Sequence, residues 1–342
     1  MNAKILTERE SQVLHALVEA HVETGAPVGS RTLCRRSGLS ISSATVRATL
    51  GRLEEKGLAE QRHTSAGRIP TDRGYRLYVA QRMRDGGFAE DTEDTRLAEA
   101  LREHLQEGGF QEILAQLAHV LGDVSHQLGV VMAPCFEQGV LQRLELVGLE
   151  GGRILLLVTI RHGLVRSLVI KADAQTASRD LETVSRLLNE RLAGLTLAEI
   201  RGSVQARLVE LDRLAGPQLI QAVSRHIEDL TAPNGAELHV AGTHNICLKP
   251  EFHDPMQVAA LMALVERRQE LARLLGSRHG MVITIGRENR AAAMRMCSVV
   301  TSSYEVAGAH GVIGIIGPTR MPYGRLVNLV SAAADQAAAL AG

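Results

Sequence analysis

Apolar positions in the first 84 residues recur at helical spacing in short bursts, each bounded by capping residues and glycine. Thr7-Glu8-Arg9-Glu10 has the form of a capping box, with Thr7 at the N-cap and Glu10 reaching back. Leu14, Leu17, Val18 and His21 follow on one face, and Gly25 and Pro27 stop that helix. Ser30 caps a second, short helix that carries Leu33 and ends at Gly38, where a left-handed turn meets no Cβ. Ser40 or Ser42 caps a third helix running to Lys56 and ending at Gly57, with Val46, Leu50 and Leu53 turned towards the first two. Leu58–Arg62 and Arg68–Pro70 then read as two short strands around the tip His63-Thr64-Ser65-Ala66-Gly67, Pro70 confining the second to an edge. Thr71 caps a helix through Arg84. This order of parts predicts a winged helix-turn-helix.

Beyond residue 84 the pattern changes twice. Residues 85–95 are acidic and Gly-containing with no apolar period, and predict a hinge within a linker over 85–108. Ile113, Leu114, Leu117, Val120 and Leu121 stripe one face of a helix over Gln111–His126. Leu144–Leu149, Ile154–Ile160 and Leu164–Lys171 are strand-like and joined by tight Gly-containing turns. A second set appears at Met281–Gly286, Cys297–Tyr304 and Gly311–Ile316, with a helix from Pro322. Six strands in two sets with a closing helix predict one antiparallel sheet. The 173–277 stretch between them is helix-rich, with stripes at Leu181/Val184/Leu188, Leu219/Val223/Leu230 and Val258/Leu261/Val265. A multidomain α+β chain with a helical insert follows, and the insert's helices are the expected dimer surface.

Composition narrows the function. The 342 residues suffice for two or three domains, and 45% apolar content supports real cores built almost without aromatics. Net charge is +0 but segregated: residues 1–84 hold 14 Lys and Arg against 8 Asp and Glu, the remainder 24 against 30. The basic end coincides with the predicted DNA reader. Four well-separated cysteines form no CxxC pair, the N-terminus has no signal-peptide character, and Ile154–Ile160 is too short to span a bilayer. A cytoplasmic protein with no membrane association is expected.

The candidate chemistry is DNA recognition. On the third helix Ala44, Thr45, Arg47 and Ala48, with Arg52 a turn later, face away from the apolar side. Small residues there admit close approach to bases, and Arg47 can fork onto a guanine or clamp a phosphate. Ser42 and Ser43 sit where the helix dipole favours a phosphate oxygen. Arg62 and Arg68 bracket the hairpin tip carrying His63, Thr64 and Ser65, and are suited to the flanking phosphates. Thr45 and Arg47 would supply sequence choice. Other features carry less. The glycine run 311–317 lacks the Lys-Ser/Thr ending of a nucleotide loop, so close strand packing is its reading. His239, His244 and His253 have no metal-ligand spacing, and Glu251 and Asp254 suit capping ahead of Pro255. Pro318–Pro322 reads as a structural turn. No catalytic grouping or cofactor site stands out, so no enzyme and no cofactor are expected.

VGSRTL, SSATVR, LEEKGL, HTSAGRIPTDRGYRLYV and CSVVTSSYEVAGAHGVIGIIGPTRMPYGRLVNLV resemble the heat-inducible transcription repressor family (HrcA), and the resemblance spans essentially the whole chain. It implies a winged-helix domain (1–84), a GAF-like domain in two parts (109–172 and 278–342) and a dimerisation domain inserted at 173–277. It also implies repression of chaperone operons through an inverted-repeat operator in double-stranded DNA, by a homodimer whose activity a GroEL-type chaperonin modulates. Ala48 and Thr49 stand where the family usually has Asn and an acidic residue, and Arg62 where a Pro commonly precedes the His. Those departures bear on base preference. A second reading is a winged-helix regulator that answers to a small molecule in the GAF-like pocket.

Overall fold

The computed structural model describes residues 6–36, 41–61, 67–86, 88, 110–135, 139–161, 165–171, 181–211, 217–231, 237–306 and 308–339. The linker expected over 85–108 falls largely outside them.

The N-terminal unit is built as its capping signals dictate. Helix α1 (Glu8–Thr24) starts on the Thr7/Glu10 capping box and ends on Gly25 at φ 65°. Helix α2 (Ser30–Arg36) begins at Ser30 itself, not after it, because the Leu33 N–H already bonds the Gly29 carbonyl; its expected end at Gly38 lies outside the described residues, and helix α3 (Ser43–Glu55) follows with Ser42 as its N-cap. Leu14, Leu17, Leu33, Val46, Leu50 and Leu53 are all buried in one core between the three helices. Strands β1 (Ala59–Glu60) and β2 (Ile69–Pro70) form a short antiparallel pair. Val28 bridges Arg68 with two backbone hydrogen bonds of 2.9 Å, adding a third member to that small sheet. Helix α4 (Asp72–Arg84), capped by Thr71, packs Tyr75, Tyr78 and Val79 back onto it.

The remainder holds two separate sheets rather than one. Helix α5 (Phe110–Ser125) leads into β3 (Leu128–Cys135). Strands β4 (Leu141–Leu149), β5 (Arg153–Ile160) and β6 (Val165–Lys171) make a self-contained antiparallel meander. Helices α6 (Leu181–Leu192), α7 (Leu197–Leu208) and α8 (Pro217–Thr231) come next, then β7 (Leu238–Ala241), α9 (Thr243–Cys247), α10 (Pro255–Glu266) and α11 (Arg268–Gly276). Strands β8 (Val282–Ile285), β9 (Cys297–Val306) and β10 (Ala309–Pro318) and helix α12 (Tyr323–Ala339) close the chain. The larger sheet has the order β7-β3-β10-β9-β8, entirely antiparallel.

The single-sheet expectation therefore fails, for a definable reason. Strand β3 pairs with β10 and β7 with β3, and the β3 run lacks the alternation of a half-buried strand because helices cover both faces. Val131, Ala133, Ile313 and Ile315 pack in the core with α5 and α12, whereas Val130, Met132, Val312 and Ile316 pack with Leu264, Leu271 and Leu275 of α10 and α11. Residues buried on both sides read as continuous apolar runs. The glycine run 311–317 lies within β10, where a Cβ on Gly311 would come within 2.5 Å of the Tyr304 ring. Close strand packing explains it.

The small sheet buries one face against α6, α7 and α8 through Leu144, Leu146, Ile154, Leu156 and Ile170. Its β4 edge is completed by side chains of α6: Asn189 accepts from the Leu144 N–H (2.8 Å) and donates to its carbonyl (2.6 Å), and Ser185 accepts from Leu146 (2.9 Å). An edge satisfied this way offers less template for another strand. The helical stripes of the insert point inward, with Val184, Leu188, Leu219, Val223 and Leu261 buried, so they are core and not an exposed dimer surface. The Leu230 side chain lies outside the described residues. Among the exposed apolar side chains, Val147, Val165 and Val169 lie together on the outer face of the sheet.

Candidate nucleic-acid interface

Helix α3 is fixed at both ends before anything approaches it. At its start the Ser42 hydroxyl accepts from the Thr45 N–H (3.2 Å) and shares a hydrogen bond with the Thr45 hydroxyl (2.9 Å). At its end Lys56 and Arg52 reach Glu10 of α1, at 2.8 and 3.8 Å. The Glu10 side chain is only 4% exposed and also closes the α1 capping box. The Lys56 ammonium, together with the Thr7 N–H, holds the Glu10 carboxyl below the ordinary glutamate value. One buried carboxylate thus ties two helices together.

The outer face of α3 presents Ser43, Ala44, Arg47 and Ala48 to solvent, with Thr45 partly exposed. Arg47 has no hydrogen-bond or ion-pair partner among the described residues, so its guanidinium is available to a ligand. Thr49 is fully buried and donates to the Thr45 carbonyl at 3.0 Å, which removes it from any base-facing role. Arg52 is half exposed but also donates to the Thr49 hydroxyl (3.2 Å), so it is braced rather than free.

Arg68 departs from its expected role as a free phosphate ligand. Its Nε and a terminal nitrogen both donate to Glu54 Oε2, at 2.9 and 2.7 Å, and its side chain is 20% exposed. It is a strut fixing the base of the hairpin to α3. The other expected hairpin residues, Arg62, His63, Thr64 and Ser65, lie outside the described residues. Sequence reasoning passed over Arg31 and Arg35, which stand exposed on α2 without partners among the described residues. The run SRTLCRR was the available signal.

The N-terminal unit meets the rest of the chain through an apolar contact, Tyr75 with Tyr323 at ring centroids 5.9 Å apart, and through polar ones. Arg76 of α4 donates to both carboxylate oxygens of Glu288 and, at 2.5 Å, to the Ile283 carbonyl. Asp72 accepts from the Arg287 N–H (3.1 Å), and a Cβ on Gly286 would collide with that carboxylate. Arg320 donates to the Val22 carbonyl at 2.9 Å and pairs with Glu251. Glu251 therefore does not cap α10; Asp254 does, accepting from Met256 at 2.9 Å. The Pro318–Pro322 turn serves a contact within the chain.

Among the described residues no group of three or more His, Cys, Asp or Glu could hold a metal, and no helix is long and apolar enough to cross a membrane. An exposed helix face whose Arg47 is unpaired among the described residues, on a braced N-terminal unit carried by an α+β body, is the chemistry of a DNA-binding regulator. The C-terminal domain model of the HrcA protein matches residues 111–327. The heat-inducible transcription repressor HrcA of Prosthecochloris aestuarii is 37% identical over 97% of this chain and 96% of its own length. That of Geobacter sulfurreducens is 34% identical over 95% of each. A crystal structure of a hypothetical protein, 21% identical, shares the fold across 98% of each chain with a TM-score of 0.67. The chain belongs to the HrcA family of heat-inducible transcription repressors, and it is a repressor and not an enzyme.

Proposed function

We propose that the N-terminal unit is a winged helix-turn-helix that seats α3 in the major groove, and that the chain represses heat-shock chaperone genes by occupying an inverted-repeat operator as a homodimer. The observation that carries this reading is Arg47: a guanidinium without a partner among the described residues, on the exposed side of a helix clamped at both ends. Thr45 and Arg47 contact bases; Ser42, Ser43, Arg31 and Arg35 meet phosphates, joined by Arg52 and by Arg62, His63, Thr64 and Ser65 of the hairpin tip, while Arg68 holds the hairpin base to α3. Two-fold symmetry of the protein requires matching symmetry of the operator.

The larger sheet with α5 and α12 is the GAF-like domain. We place the dimerisation insert at about residues 139–231, since strands β4–β6 form a sheet separate from the larger one and pack on α6–α8. Its solvent-facing row Val147–Leu155–Val169, in register across three strands, supports this sheet face as the dimer contact. Modulation by a GroEL-type chaperonin, in the cytoplasm, completes the reading by family resemblance. Family membership favours it over a small-molecule-responsive regulator. Footprinting of the purified chain on chaperone promoters tests it: two protected half-sites, 10–10.5 base pairs or a multiple apart, are expected. A single unsymmetrical footprint, or protection independent of sequence, would overturn the proposal. Gel shifts with and without chaperonin, before and after warming, test the modulation; unchanged operator affinity would remove it.

A further inference from the structure

A cavity of about 230 Å³ opens between α11, β8 and the 288–294 segment, and its charge is unbalanced. Three guanidiniums line it, those of Arg273, Arg278 and Arg290, against a single carboxylate, Glu288. Both oxygens of that carboxylate are held by Arg76, and one also accepts from the Ile285 N–H at 2.9 Å. It therefore cannot neutralise the arginines. Arg278 is largely buried, and its partners are two neutral hydroxyls: Thr284 at 2.9 Å and Thr301 at 3.4 Å. A guanidinium has five N–H donors, so most of its capacity is unmet by the described residues. Burial pulls its pKa below the ordinary arginine value. Arg273 and Arg290 are exposed at the rim, and neither has an ion-pair partner among the described residues. The remaining wall includes Leu275, Val282, Ala291 and Met294.

We propose that this cavity is a binding site for a small organic anion, either a carboxylate or a phosphate ester. Arg278 meets the anionic group from the floor, Arg273 and Arg290 close on it from the rim, and the apolar wall takes a short carbon skeleton. Planar guanidiniums match both anions with paired hydrogen bonds. The volume falls below the roughly 300–1,000 Å³ of cavities that hold drug-sized molecules, so the occupant is small. Glu288 belongs to the cavity wall and to the Arg76 contact alike, so the site adjoins the anchor of the reader.

Titration calorimetry of the full chain at constant ionic strength tests the site, with inorganic phosphate and citrate as the probes. Saturable binding of at least one is expected, and the probe that binds names the anion class. Arg290→Gln, a rim change that leaves the fold intact, should weaken binding by about tenfold or more, the scale of one charge-assisted hydrogen bond. Arg278→Gln should abolish binding; if that chain does not fold, Arg278→Lys should fold and bind more weakly than the natural protein. Absence of saturable binding by both probes, or an affinity unmoved by Arg290→Gln and Arg273→Gln together, would overturn the proposal.

Discussion

Arg47 stands one turn beyond the N-cap of α3, exposed and without a partner among the described residues, beside the small side chain of Ala44. A guanidinium that breaks no internal contact on binding can give its full discrimination to the base it meets. Arg47→Ala should cost about 1–3 kcal/mol on operator DNA with little effect on scrambled DNA; equal losses in a gel-shift comparison would rule out base readout. Glu10 works differently, inside the protein. Its carboxyl is held below the ordinary value by Lys56 and Thr7, so it contributes stability above the ordinary glutamate range, about 4.3. That contribution is lost as pH falls through the lowered value of the folded state. The stability gap between the natural chain and Glu10→Gln should thus be present at neutral pH and close below about pH 4. A gap independent of pH would exclude the ionised pair as its source.

At the level of elements, capping sets where α3 begins and therefore which residues form its first exposed turn. Ser42→Ala removes the hydroxyl that accepts from the Thr45 N–H, and should destabilise the N-terminal unit by about 0.5–2 kcal/mol in urea unfolding. The gel shift should weaken in parallel, because Thr45 loses its hydroxyl partner as well. The β4–β6 sheet shows the opposite case, an element whose two faces have different fates. Ile154, Leu156 and Ile170 are buried, while Val165 is 56% and Val169 46% exposed. An apolar sheet face left in water invites a partner. Val169→Lys should lower the sedimentation mass from dimer towards monomer at micromolar concentration, without loss of helix or strand signal. An unchanged mass would remove this face from the interface.

Across the whole molecule, the N-terminal unit and the body share a buried apolar contact, Tyr75 against Tyr323, and several arginines join them around it. Arg76 and Glu288 are each about a third exposed, at 34% and 38%, so that pair adds only modest stability. Arg320 is more enclosed, and its partner Glu251 keeps one buried oxygen without a hydrogen bond among the described residues. Arg320→Ala would strip that carboxylate of its countercharge and free the Val22 carbonyl. A loss of roughly 1–3 kcal/mol is expected, partly restored by adding Glu251→Gln. If urea unfolding shows no loss, the contact is not holding the two parts together.

The helices of the first 84 residues, and the caps at Thr7, Ser42, Thr71 and Gly25, were legible because each rests on local chemistry: a hydroxyl at an N-cap, a glycine at a left-handed turn, an apolar stripe every three to four residues. The exposed placement of Arg47 followed from the same periodicity. Sheet membership was not legible. Nothing in the runs at 128–135 or 238–241 states that the first pairs with β10 and the second with the first, since pairing joins segments more than a hundred residues apart and burial on both faces erases alternation. The same holds for charge. That Arg68 and Arg320 face carboxylates while Arg47 and Arg278 do not depends on which side chains the fold brings within about 4 Å of them, and no spacing along the chain encodes that.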